Sequence, residues 1–357
     1  MPFVPEPRAC SLKLPFFCPI EPAIHPDVTL VEARAHDWLL AQNYFGNPEN
    51  RERVIGSRSA EFYARMSPRA HTNRLQVAVE WIYWGFSFDD AYCDTLPWSI
   101  RPAEFTELAG RIVRMLEAPR STLPGPDPHI MALAELRDRF AEVGTPVQHR
   151  RWVLAQRAWL LGVAWQIGNQ SRAVMPTLND YLAMRINSAA GESVTSMIAL
   201  VNDLDIPEKE MEHPAVRACT EMSRMLASLD NDLHSYAKDI HRNEIDQNIV
   251  NVIITEQYCH PQDAVVTAMA MRDRIMCRFL SLRDRISHRQ SAPTRHYLQD
   301  LGHVVRGNLD WGLKTPRYLV DGQHSLVPQW ADKPSDAGTL PPAPSVAWWW
   351  DTTLAGG

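Results

Sequence analysis

The chain of 357 residues lacks any uninterrupted apolar run near the roughly 18 residues that a membrane helix needs. It also lacks a basic excess: 36 Lys and Arg stand against 42 Asp and Glu, a net charge of −6. A broad basic face is the usual footprint of nucleic-acid binding, so nucleic acid is excluded as the main partner. Cysteine is sparse. The six (Cys10, Cys18, Cys93, Cys219, Cys259, Cys277) form no CxxC pair and no zinc spacing, which predicts reduced thiols rather than a disulfide framework. The opening MPFVPEPRACSLKLPFFCPIEP has neither a charged n-region nor a clean apolar h-region, so no signal peptide is read and a cytoplasmic location is expected. No run of alternating strands and no repeat of 30–45 residues emerges, which disfavours sheet folds and solenoids. With 45% hydrophobic and 22% charged residues, wholesale disorder is excluded too.

What is present is helix. Apolar residues recur at three- and four-residue spacing over 33–45, 73–92, 103–118, 149–170, 177–201, 215–240 and 262–313. Between them stand Asn47-Pro48, Pro124–Pro128, Pro146, Pro176, Pro207, Pro261 and Pro293 as punctuation. This predicts an all-α fold: a proline-rich extended segment over 1–28, a single helical domain over 29–320, and a low-periodicity tail over 321–357 for which disorder is the leading expectation. The segments 77–88 and 194–201 carry few charges, so other helices should wrap them, and a deep apolar cavity can lie between them. Tryptophan is abundant, at 12 residues.

Two polar constellations interrupt this pattern. Asp89, Asp90 and Asp94 close the apolar run WIYWGFSF, with Asp90 and Asp94 one helical turn apart. Three carboxylates so close repel one another unless a cation neutralises them, and hard divalent ions such as Mg2+ prefer such oxygen donors. The alternative is an acidic helix end facing solvent, which opposes the helix dipole. In DNDLHSYAKDI, Asn231, Ser235 and Asp239 stand at i, i+4 and i+8, a stripe of oxygen donors with Lys238 beside it for a phosphate oxygen. A lone polar stripe would read as an exposed face; two such motifs in one chain are far more specific.

Together these motifs resemble the bacterial class I terpene synthases. Asp89–Asp94 is similar to the family's aspartate-rich motif, and Asn231–Asp239 to its metal-binding triad. Arg317-Tyr318, preceded by Trp311 and Thr315, resembles the closing signature. Arg185, in Tyr181–Arg185 and 46 residues before Asn231, resembles the diphosphate-sensing arginine, and 14–27 the N-terminal strand-like segment. The likeness spans roughly residues 14–318. It departs in three places: Asp239 replaces the usual glutamate, Cys93 stands where DDxxD members have aspartate, and Ser188 and Ala189 follow the sensing arginine where an acid and a small effector are usual.

The resemblance implies one helical bundle around an apolar cavity, and a Mg2+-dependent cyclase of linear prenyl diphosphates. Three Mg2+ ions, with Mn2+ as substitute, would be held by Asp89, Asp90 and Asp94 on one side and Asn231, Ser235 and Asp239 on the other. Arg185, Lys238, Arg317 and Tyr318 would donate to phosphate oxygens. Phe62, Phe86, Trp159, Ser188, Ala189 and Trp311 would line the cavity, while Trp81, Trp84, Trp152 and Trp165 are expected as core. Farnesyl diphosphate (C15), giving a sesquiterpene, is the expected substrate, with geranylgeranyl diphosphate (C20) as the alternative; a homodimer is compatible. A chain-elongating prenyl transferase would need a second aspartate-rich motif in place of the triad, and a non-catalytic scaffold would be expected to lose some of the paired elements. His234 is read as a hydrogen-bonded spectator and Asn202–Asp205 as a decoy, because Pro207 breaks the triad pattern.

Overall fold

The computed structural model describes residues 12–42, 47–118, 127–241, 247–320, 323–324 and 326–355; side chains at 12–13, 237–241, 320, 323–324, 326–328 and 355 are outside the described set. The expected all-α bundle is found. Its helices are α1 (Val28–Gln42), α2 (Pro48–Gly56), α3 (Ser59–Met66), α4 (Thr72–Phe88), α5 (Pro102–Glu117), α6 (Pro128–Val143) and α7 (Pro146–Ser171). They continue with α8 (Leu178–Ser188), α9 (Gly191–Val201), α10 (Glu208–Met211), α11 (Pro214–His241), α12 (Ile249–Gln257), α13 (Pro261–Ser287) and α14 (Ala292–Gly312). Four short strands complete the list: β1 (Leu12–Phe16), β2 (Leu319–Val320), β3 (Gln323–His324) and β4 (Leu326–Trp330). β1 runs parallel to β4, so residues 12–16 and 326–330 lie side by side, and β2 pairs antiparallel with β3.

Local chemistry sets these boundaries. α7 opens on a reciprocal capping box between Thr145 and Gln148, with Pro146 in the first turn where its missing N–H costs nothing. Asn47, expected only as punctuation, caps α2 by accepting from the Asn50 N–H at 2.8 Å. Asp127 does the same for α6, accepting from His129 and Ile130. The sequence reading did not single out α2, α3, α6 and α12, of which all but α6 are only eight or nine residues long. The stretch 177–201, read as continuous, breaks at Ala190, whose φ of 58° is left-handed and ends helical propagation.

α4 lies at the centre, as its few charges implied. Every residue from Leu75 to Gly85 is buried, Glu80 among them, held by Gln76 at 2.9 Å and by Arg139. Around it, α1, α3, α6 and α9 form one shell; α7, α8, α11 and α14 close the far side. Beyond β4 the described chain carries two 3-10 turns, and Ala343, Val346, Trp349 and Leu354 are buried against the bundle. A 3-10 turn, Pro344–Trp350, lies on α8 and α11, with Trp349 fully buried. Burial of apolar groups supplies the gain that a free tail would lack. No described helix is long and apolar enough to cross a membrane.

Candidate active site

Beyond Phe88, α4 widens into a π-turn over Asp89–Cys93, a geometry that rotates the acidic residues out of α-helical register. Asp89 and Asp94 line the cavity mouth. Asp90 turns away from it: the Arg317 guanidinium grips its two oxygens at 2.9 and 3.0 Å, and Arg53 donates to it as well. Burial, followed by the carboxylate of Asp94, pushes the Asp89 carboxyl up to about 8, although Arg317 opposes this. Burial works against the charge of Arg317, yet Asp90 outweighs it and holds the guanidinium protonated. The same guanidinium lies 4.7 Å from the centre of the Phe86 ring. Arg53 had no sequence signal, because nothing in α2 marks which carboxylate its side chain reaches.

Across the cavity, α11 presents Asn231 and Ser235. Arg185, near the end of α8, donates to the Asn231 amide oxygen at 2.9 Å and pairs with Asp232 at 2.6 Å. The Asn231 amide donates in turn to the Tyr318 hydroxyl at 2.5 Å. Thus Arg185, Asn231 and Tyr318 form one chain of contacts. Asp232 went unread as a site residue although it stands inside the motif. It also accepts from the Tyr181 hydroxyl and, at 3.2 Å, from the Ile249 N–H, so it anchors the junction of α8, α11 and α12. Lys238 and Asp239 lie on the last turn of α11, and their side chains fall outside the described residues.

Aromatic rings form the wall between the two sides. Phe86 stacks on Trp311 at 5.3 Å and 4°, and Phe62 meets both edge-on at 5.5 and 4.7 Å. The Trp311 indole donates to the Ser57 and Arg58 carbonyls at 3.0 and 3.1 Å, which fixes its ring plane. Trp159 lies 6.0 Å from Trp81, and both line a cavity of about 180 Å³ together with Ser188 and Ala189. Two tryptophans depart from the expectation of core. Trp81 faces the cavity, whereas Trp165 is 43% exposed on the outer side of α7. Trp84 and Trp152 are core. Met66, Gly85, Arg224, Ala227 and Ser228 also line the cavity. Periodicity marks such residues as buried, but only packing separates a cavity wall from solid core.

The donor set suits a hard divalent cation. Asp89, Asp94, Asn231 and Ser235 offer oxygen, and the Asp89 carboxyl is pushed up by burial first and by the neighbouring Asp94 second, both of which a bound cation would offset. Among the described residues no three His, Cys, Asp or Glu side chains converge tightly enough to hold an ion alone. Donors split between two walls match ions that share ligands with phosphate oxygens.

Residues 80–278 match the family model described as terpene synthase family 2, C-terminal metal binding. This chain is a terpene synthase. It is 44% identical to spiroviolene synthase from Streptomyces violens, over 96% of this chain and 97% of that one. It is 34% identical to phomopsene synthase from Allokutzneria albata, over 94% and 96%. Among solved structures it is similar to the ancestral reconstruction SVS_A2, with a TM-score of 0.87, 47% identity, and coverage of 96% of this chain and 99% of that one. The terpene synthase is therefore a lyase that acts on a prenyl diphosphate, its cavity is the bundle interior just described, and divalent metal dependence follows from the family model.

Proposed function

We propose that the terpene synthase ionises a linear prenyl diphosphate with Mg2+ and cyclises the resulting carbocation. The observation that carries this reading is the meeting of Asp89 and Asp94 with Asn231, Ser235, Arg185, Arg317 and Tyr318 around one aromatic cavity. Mg2+, three ions by family likeness, would supply the positive charge that makes diphosphate a competent leaving group. Asp89 and Asp94 would hold metal on one wall, and Asn231, Ser235 and Asp239 on the other. Asp90 keeps Arg317 in place. Arg185, Arg317, Tyr318 and Lys238 donate to the phosphate oxygens, the arginines through forked contacts. The allylic C–O bond then breaks with its electron pair leaving on diphosphate. Phe62, Phe86, Trp159 and Trp311 face the cation with their rings, each worth about 0.5–2 kcal/mol, and exclude the water that would quench it.

Farnesyl diphosphate leads on sequence alone. The longer geranylgeranyl chain is the reading supported by the small residues that line the cavity, Gly85 on α4 and Ala227 and Ser228 on α11. A Cβ added at Gly85 would only reach ordinary contact with the Trp81 ring, at 3.7 Å, so space remains beside it. Relatives point both ways: a T-muurolol synthase named as farnesyl diphosphate cyclizing is 29% identical, and a protein named diterpene cyclase is 25% identical. Incubation with C10, C15, C20 and C25 diphosphates and Mg2+, followed by gas chromatography, tests both parts. A hydrocarbon or alcohol from C20 at the highest kcat/KM is expected. Preference for C15 would overturn the chain-length assignment, and no product from any of the four would overturn the reaction.

A further inference from the structure

The tail segment 335–351 lies outside the cavity, yet it hydrogen-bonds to α8 and α11, the helices that bring Arg185 and Asn231. The Ser345 N–H donates to Asn179 Oδ1 at 2.8 Å, and its hydroxyl donates to the Asn179 carbonyl at 3.1 Å. Asn179 is in the first turn of α8, whose other end carries Arg185. The buried Trp349 indole donates to Glu221 of α11 at 2.9 Å, while its carbonyl accepts from Arg278 of α13 at 2.7 Å. Further back, Ser335 donates through its N–H and its hydroxyl to Asp273, both at 2.8 Å. Asp273 belongs to a fully buried cluster in which Arg272 donates to Asp273 at 3.0 Å and to Asp230 at 2.8 Å. Asp230 is the residue before Asn231.

α8 is 11 residues long and stops at the left-handed Ala190; its Arg185 end packs on α7 at Gly162 and pairs with Asp232, while its first turn takes the two hydrogen bonds from Ser345. Asn179 and Arg185 are about 9 Å apart along a helix axis, over which a helix moves as a rigid body. We propose that the segment Ser335–Asp351 is a strap that holds α8 against α11 so that Arg185 meets Asn231, with Asn179 and Trp349 as positioning residues. This rests on the reading of Arg185 and Asn231 as diphosphate-site groups.

The test is a titration of the full-length protein with inorganic diphosphate in excess Mg2+, followed by tryptophan fluorescence below the melting temperature. Asn179→Ala combined with Trp349→Phe should weaken diphosphate binding about fivefold and raise KM, whereas Asn179→Asp, which keeps the acceptor, should bind as wild type. A purely structural role would lower the melting temperature but leave the affinity of the folded protein unchanged. Wild-type affinity in the double variant, or an Asn179→Asp variant as weak as Asn179→Ala, overturns the strap. If the double variant does not fold, Asn179→Ala alone is judged by the same criterion. Failure of the wild-type protein to bind diphosphate with Mg2+ would overturn the reading of the site instead.

Discussion

At the scale of single residues, charge and burial decide more than residue type. Asp89 and Asp90 are neighbours in one acidic motif, but one faces the cavity and the other is held by Arg317 and Arg53. His129 shows the same logic away from the site. It packs edge-on to Tyr92, lies 3.1 Å from the Ser87 hydroxyl, and burial pulls its pKa down to about 4, with Asp127 opposing. The native state therefore holds His129 neutral while the unfolded chain takes up a proton near pH 6.5. Its contribution to stability is complete above pH 6.5 and is lost as the pH falls towards 4, in total about 3 kcal/mol. His129→Gln should flatten the fall of the melting temperature between pH 7 and 5. An unchanged slope in thermal melts across that range would contradict this account.

At the scale of elements, close approach between helices places the site. α7 and α8 touch at Gly162, where an added Cβ would sit 2.6 Å from the Ser188 amide nitrogen and 2.9 Å from the Asn187 carbonyl carbon. Both neighbours are backbone, so they cannot swing aside, and the end of α8 that carries Arg185 and Ser188 would have to move. Gly162→Ala should cost roughly 1–3 kcal/mol of stability in denaturant unfolding. It should also lower kcat well beyond what the remaining folded fraction explains. A variant with full turnover would show that the position of α8 matters little. Element boundaries were legible where they rest on local chemistry, as with Thr145-Pro146 and Pro293. They were missed where a helix such as α2 or α12 is only nine residues long, too short for a repeating face to show.

At the scale of the molecule, two sets of polar side chains face each other across the cavity, Asp89 and Asp94 on one wall and the Arg185–Asn231–Tyr318 chain on the other. Neither wall is complete without what lies between them. Mg2+ and inorganic diphosphate together should therefore raise the melting temperature by roughly 5 °C at saturating concentrations, while either alone should shift it far less, because only the pair binds the native state tightly. Differential scanning fluorimetry with the four combinations checks this, and equal shifts from Mg2+ alone would argue against a shared site. Segments from both halves of the chain meet on this body, β1 paired with β4 and Trp349 buried on α11.

The all-α class and the two oxygen-donor motifs were legible in the sequence from local spacing, and Arg185 and the Arg317-Tyr318 pair from the likeness of those motifs to a known family. The tertiary structure alone decided that Asp90 serves Arg317, that Asp232 pairs with Arg185, that Trp81 lines the cavity while Trp165 faces outward, and that Trp349 of the tail is buried. Each of these depends on which distant segment comes within a few ångströms, and no local period encodes that.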